Sequence, residues 1–139
     1  MAGDDLYRQY LVELYRHPHN FGRLEAPDVR QEGHNPLCGD QVTIDLALSD
    51  DRVAEARFDG KGCAVSVAAA SILTDLAPGK SADELLAMTD QDMVAEMGLD
   101  GLTPARLKCA ILALKTMQTG LRAHRGEAAQ ARAVTTEEG

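Results

Sequence analysis

The sequence predicts an α+β fold in one domain, a small three-stranded antiparallel sheet with helices packed on it. Three observations predict this. Val42, Ile44, Leu46 and Leu48 alternate with polar or small residues, which is the two-residue period of a half-buried strand. Leu107, Ala110, Ile111, Leu114, Met117 and Leu121 recur at the spacing of one helix face, the mark of a long amphipathic helix. Glycine and proline punctuate the chain between such runs, at Gly60-Lys61-Gly62 and Pro78-Gly79, where regular elements end.

The elements follow in order. Asp4 or Asp5 caps a first helix, with Leu6, Tyr7, Tyr10, Leu11, Leu14 and Tyr15 on one stripe. It ends before Pro18, because the residue ahead of a proline avoids the helical region. Asn20-Phe21-Gly22 is a turn, and an irregular link runs to about Asp28. A weak strand spans Val29 to Gly33, the alternating strand Val42 to Leu48, and a third strand, after the turn Ser49-Asp50-Asp51, Val53 to Phe58. Cys63 opens a helix that continues to about Leu76, with Val65, Ala68, Ala69, Ile72 and Leu76 as its buried face. Ser81 caps a short helix holding Leu85 and Leu86, and Thr89 or Asp90 caps another through Met97 to Gly98. Thr103-Pro104 pairs an N-cap with proline at the first helical position and starts the last helix. The domain covers residues 1–125, with no internal repeat. Residues 126–139 carry no apolar stripe and read as a flexible C-terminal tail.

A chain of 139 residues is long enough for one modest core. With no tryptophan and two phenylalanines, that core must be aliphatic and alanine-rich. The formal net charge of −8 excludes the basic footprint of a nucleic-acid binder and suits docking on a basic partner surface. Met1-Ala2-Gly3-Asp4-Asp5 is acidic where a secretory leader should be basic. The longest weakly polar stretch, Cys63 to Leu73, is too short to span a bilayer, so no membrane role is expected. An odd cysteine count without a leader favours reduced thiols and a cytoplasmic location.

The chemistry lies in three cysteines. Cys38 falls in Asn35-Pro36-Leu37-Cys38-Gly39-Asp40, Cys63 in Gly60-Lys61-Gly62-Cys63-Ala64, and Cys109 in Pro104-Ala105-Arg106-Leu107-Lys108-Cys109. Gly39 lets the backbone bend so that Cys38 and Asp40 can face one ion. Cys63 follows Gly62 at a helix start, where free amides and the helix dipole stabilise a thiolate. Arg106 and Lys108 stand beside Cys109 and lower its pKa further. Three thiolates and the Asp40 carboxylate would form a four-ligand tetrahedral site for zinc or an iron–sulfur cluster. A free cysteine is also a good small hydrophobe, but turns rich in glycine and charge are poor places to hide three of them. These turns and helix starts should also leave the site near the surface. Without a Cys-x-x-Cys, a thioredoxin-like pair and a zinc knuckle are both unsupported. His34 is a solvated loop histidine first and a reserve metal ligand second.

At these residues the chain resembles the IscU/SufU/NifU N-terminal family, whose three cysteine signatures match the blocks around Cys38, Cys63 and Cys109. Tyr15-Arg16-His17-Pro18-His19-Asn20-Phe21-Gly22 resembles that family's opening Tyr-x-x-Pro-x-Asn-x-Gly segment. The resemblance runs from about Leu6 to Leu121. It implies the NifU/IscU-like fold and a scaffold, not an enzyme, for iron–sulfur cluster assembly. Such a scaffold accepts sulfur as persulfide from a cysteine desulfurase, combines it with iron, and passes the cluster to apo iron–sulfur proteins. By residue matching it implies Cys38, Asp40, Cys63 and Cys109 as ligands of a transient [2Fe–2S] cluster, or of zinc in the cluster-free form. The three cysteines become candidate persulfide acceptors. Two departures bear on the subfamily. Lys108 occupies the place of the Isc-type histidine, as in Suf-type members, yet the Cys63 to Cys109 interval lacks the Suf-type insertion. The chaperone-recognition segment Leu-Pro-Pro-Val-Lys is replaced by Leu102-Thr103-Pro104-Ala105-Arg106, which counts against an Hsp70-type chaperone as partner. The alternative the resemblance leaves open is a zinc-dependent sulfurtransferase that stimulates a desulfurase.

Overall fold

Helix α1 (Ala2–Arg16) opens the chain in the computed structural model, which describes residues 2–36, 39–98, 103–126 and 134–135. Cys38, Leu37 and Leu102, which the sequence singles out, lie outside the described residues. Helix α1 stops before Pro18 as the sequence requires, and Leu11 and Leu14 are buried. Its apolar stripe is narrower than expected. Tyr10 and Tyr15 are 44% and 49% exposed, because a phenol keeps its hydroxyl wet while only part of the ring packs.

Three antiparallel strands follow, as predicted: β1 (Val29–Asn35), β2 (Asp40–Ser49) and β3 (Arg52–Lys61). The β2–β3 hairpin turns on Asp50 and Asp51, both at positive φ (52° and 62°), the backbone of a two-residue turn matched to strand twist. Strand β1 is longer than its sequence pattern suggests. Its inward residues after Val29 are Gln31, Gly33 and Asn35, all buried, so the strand carries no apolar alternation to read. A two-residue strand β4 (Val134–Thr135) adds to the outer edge of β1, parallel to it, giving the order β3-β2-β1-β4. At these two residues the stretch read as a tail lies on the sheet.

Helices α2 (Ala64–Leu76), α3 (Ala82–Ala87), α4 (Asp90–Met97) and α5 (Pro104–His124) complete the chain. Ser81 and Thr89 each form a reciprocal capping box, with Glu84 and Asp92, which closes two orphan donors at each helix start. Helices α2 and α5 pack on one face of the sheet. Ile44, Leu46, Phe58, Leu73, Leu112, Leu114 and Met117 fill the space between them at 2% exposure or less. Burying each such side chain contributes about 1.5–3 kcal/mol. Helix α5 sits close on β1 because Gly33 faces Thr116, and a Cβ at Gly33 would collide with the Thr116 hydroxyl. This close approach carries the start of α5 to the end of β1.

The opposite face of β2 holds a buried charge. Asp45 accepts from Arg30 Nε at 2.9 Å, Arg30 Nη2 at 3.0 Å, Arg23 Nε at 3.2 Å and the Leu24 amide at 2.9 Å. Burial pushes its carboxyl up, and these donors outweigh burial and hold it below the ordinary carboxylate value. The clamp ties down the link between α1 and β1. That link also lies along β3: Phe58 N–H donates to Asn20 C=O at 3.0 Å and Gly22 N–H to Phe58 C=O at 2.7 Å.

Candidate metal centre

Three elements meet at one point. Asp40 is the first residue of β2, paired with Asn35 at the end of β1, so both side chains project to the helix side of the sheet. Cys63 is the N-cap of α2, with extended backbone (φ −72°, ψ 168°) and no side-chain cap of its own. Cys109 lies in the second turn of α5. The two sulfurs and an Asp40 oxygen lie within 4.8 Å of one another, the one such group of three or more His, Cys, Asp or Glu side chains among the described residues. Thiolates on a tetrahedral zinc ion sit about 3.7 Å apart, so small side-chain rotations close the set on an ion. Two soft thiols and one hard carboxylate suit zinc or iron and not magnesium or calcium.

The Asp40 carboxylate is held at both oxygens. Oδ1 accepts the Cys63 backbone N–H at 2.9 Å, an amide that the helix start leaves without an intrahelical partner. Oδ2 accepts the Ser66 hydroxyl at 2.5 Å and lies 3.7 Å from Cys63 Sγ. Burial pushes the carboxyl up, but hydrogen bonds from Ser66, Cys109, the Cys63 amide and the Cys63 thiol outweigh it and leave it below the ordinary value. Asp40 is therefore an anion at neutral pH although it is 1% exposed. Gly62 leaves room for this carboxylate. A Cβ there would stand 2.6 Å from Asp40 Oδ1.

The structure brings together Asp40, Cys63 and Cys109 of the expected ligands, and Cys38, two residues from Asp40 in sequence, lies outside the described residues. One expectation needs correcting. Cys109 is fully buried, not near the surface, because it falls on the sheet-facing side of α5, where Asn35 Nδ2 donates to its sulfur at 3.8 Å. Cys63 is half-buried and gives the pair its open side. Arg106 is exposed and Lys108 half-buried on α5. Gly39 is in the left-handed region at φ 70° and donates its N–H to Asn35 C=O at 2.9 Å. His34 stands in β1, not in a loop. It is next to Asn35, so strand alternation turns it to the face away from the thiols, and it is not in the group. Ser66 and Asn35 stand in the sequence motifs without a task. The signal for Ser66 was its place three residues after Cys63, one helical turn on and on the same face.

Comparison with known proteins fits this geometry. A family model, the NifU-like N terminal domain, matches residues 6–131. The zinc-dependent sulfurtransferase SufU of Bacillus subtilis (strain 168) is 34% identical over 139 residues, covering 88% of this chain and 94% of that protein. An iron–sulfur cluster assembly scaffold protein IscU of Archaeoglobus fulgidus is 33% identical over 116 residues, covering 84% of this chain and 74% of that one. The crystal structure of a nitrogen-fixing NifU-like protein (N-terminal) from Brucella abortus superposes with a TM-score of 0.73 at 26% identity, over 90% of this chain and 98% of that chain. Among the described residues no helix is long and apolar enough to cross a membrane.

Proposed function

We propose that this chain, which belongs to the NifU-like N-terminal domain family, is a scaffold that accepts sulfur, gathers iron and hands an iron–sulfur cluster to apo-proteins. The observation that carries the reading is the convergence of Asp40, Cys63 and Cys109 from a strand end, a helix N-cap and the second turn of another helix. The ligand set is Cys38, Asp40, Cys63 and Cys109, with a [2Fe–2S] cluster as cargo and zinc at the same donors when no cluster is present. Zinc would hold the thiols as thiolates. The relatives named as cluster assembly scaffolds support the reading.

The chain's own residues account for the sulfur step. A cysteine thiolate attacks the outer sulfur of a persulfide on a cysteine desulfurase. The donor's S–S bond breaks, its thiol is restored, and the sulfane sulfur is now bound to the scaffold cysteine. Turning that sulfur into sulfide takes two electrons from an external reductant. Arg106 and Lys108 supply positive charge on the helix that carries Cys109, which suits an incoming anion. Asp40 is a harder ligand than a fourth thiolate and leaves the set one exchangeable corner. Desulfurase and apo iron–sulfur proteins are the partners, and a cytoplasmic location is part of the same proposal.

The second reading, a zinc-dependent sulfur acceptor, is favoured by the Bacillus subtilis relative's name and by Lys108 in place of histidine. One experiment separates the two. Anaerobic reconstitution with iron, sulfide and thiol gives a brown protein with visible absorption if the scaffold reading holds. One tight zinc in the purified protein, raised desulfurase turnover and no cluster would favour the second. No bound metal of either kind would overturn both.

A further inference from the structure

We infer that Ser66 is the positioning residue that keeps the Asp40 corner exchangeable, by competing with the metal for Asp40 Oδ2. The inference rests on the reading of this pocket as a metal site. Ser66 is buried at the third position of α2, where a serine has no intrinsic advantage over alanine. Its hydroxyl is directed out of the helix: it donates to Asp40 Oδ2 at 2.5 Å and lies 3.6 Å from Cys63 Sγ. Oδ2 is also the oxygen beside Cys63 Sγ, at 3.7 Å, while Oδ1 is taken by the Cys63 amide. The oxygen beside the Cys63 thiol is thus the one that the hydroxyl already holds.

A hydrogen bond to a free carboxylate is charge-assisted and strong. Once an ion draws charge from that oxygen, the same bond weakens. Ser66 therefore stabilises the metal-free pocket more than the loaded one and gives a departing carboxylate a partner to return to. In a buried site with little water, that partner is worth most. The device differs from a simple brace. A brace would favour the loaded site, whereas Ser66 favours release.

The test is zinc release from the full chain to excess chelator, followed by a chromogenic indicator, for wild type and Ser66→Ala. The expected result is release slowed about three- to tenfold and zinc bound correspondingly tighter, the share of a charge-assisted hydrogen bond that ligation removes. The direction is diagnostic, because any loosening of the pocket would speed release. In an Asp40→Ala background, Ser66→Ala should change nothing, since the serine acts only through that carboxylate. Release as fast as wild type or faster, or the same slowing without Asp40, would overturn the inference. If Cys63→Ser holds zinc as well as wild type does, the metal-site reading itself falls. Normal zinc lost on Cys63→Ser, with unchanged release in Ser66→Ala, sinks this inference alone.

Discussion

Replacing Gly62 with alanine tests whether the site's carboxylate is held by packing. A methyl at Gly62 would stand 2.6 Å from Asp40 Oδ1, 3.0 Å from Cγ and 3.1 Å from Cβ, against about 3.5 Å or more for an unstrained contact. The carboxylate must then retreat by about 0.5–1 Å. Overpacking of this kind costs about 1–3 kcal/mol. The retreat also stretches the 2.9 Å bond from the Cys63 amide, and a hydrogen bond to a charged group contributes about 1.5–3 kcal/mol. The two losses relieve each other in part, so the net cost should be about 2–3 kcal/mol. For a domain of this size that lowers the thermal midpoint by about 4–12 °C.

The second readout is metal. A carboxylate moved off its position should weaken zinc about tenfold or more, the usual effect of disturbing the groups that orient a ligand. Differential scanning calorimetry and indicator competition measure the two effects. Gly39 supplies the contrast. It lies at φ 70° with nothing within 4 Å of a built Cβ, so its alanine cost is backbone strain alone, about 1–2 kcal/mol. Asparagine, which tolerates the left-handed region, should soften the loss at Gly39 and should not at Gly62. A Gly62→Ala protein with wild-type midpoint and wild-type zinc affinity would refute the packing argument.

The other expectations concern the buried groups. Asp45→Asn removes a carboxylate clamped by Arg30, Arg23 and the Leu24 amide, and should cost about 2 kcal/mol at neutral pH. Because the folded-state pKa of Asp45 is depressed, its contribution is full above the unfolded value of about 3.9 and is lost as pH falls through the folded value. Urea unfolding between pH 3 and 7 should thus show a shallower acid limb in the variant, and an equally steep one would count against the clamp. In the metal-free protein, a small alkylating reagent should modify half-buried Cys63 well before buried Cys109, and peptide mapping that finds equal rates would contradict the closed pocket. Asp40→Cys should give a cluster that survives air longer and transfers to an apo-ferredoxin more slowly. Transfer as fast as wild type would rule out a labile corner.

Much of the fold was legible because most inward positions are apolar. The alternation from Val42 to Leu48 and the stripe on the last helix gave β2 and α5 directly, and the turn and cap residues gave their limits. Strand β1 read weakly because its inward residues do other jobs. Gly33 lets α5 approach, and Asn35 donates to Cys109. Asp45 stayed hidden for a different reason. Alternation turns it outward, where a charge needs no explanation, and its arginine partners are 22 and 15 residues away. At the site, the cysteine blocks pointed to Cys63 and Cys109, which the structure brings together with Asp40, but sequence could not rank their exposure. That depends on which side of α5 meets the sheet, and a helix with small residues on several faces leaves the choice to packing.

Those exceptions share a logic that bears on function. Asn35, Asp40 and Ser66 are polar at positions facing the helix–sheet interface, where an aliphatic side chain would be worth about 1.5–3 kcal/mol, and they meet at the two thiols. Asn35 donates to Cys109, and Ser66 and the Cys63 amide donate to Asp40, so these three side chains converge on one point. Asp45 obeys the opposite rule. Its four donors come from guanidinium groups and one amide, with no thiol among them, and they saturate it. A saturated buried charge fixes a loop. A charge held by an amide, a hydroxyl and thiols that could themselves bind metal is one whose partners can be exchanged, which is what the proposed hand-off role asks of the Asp40 corner.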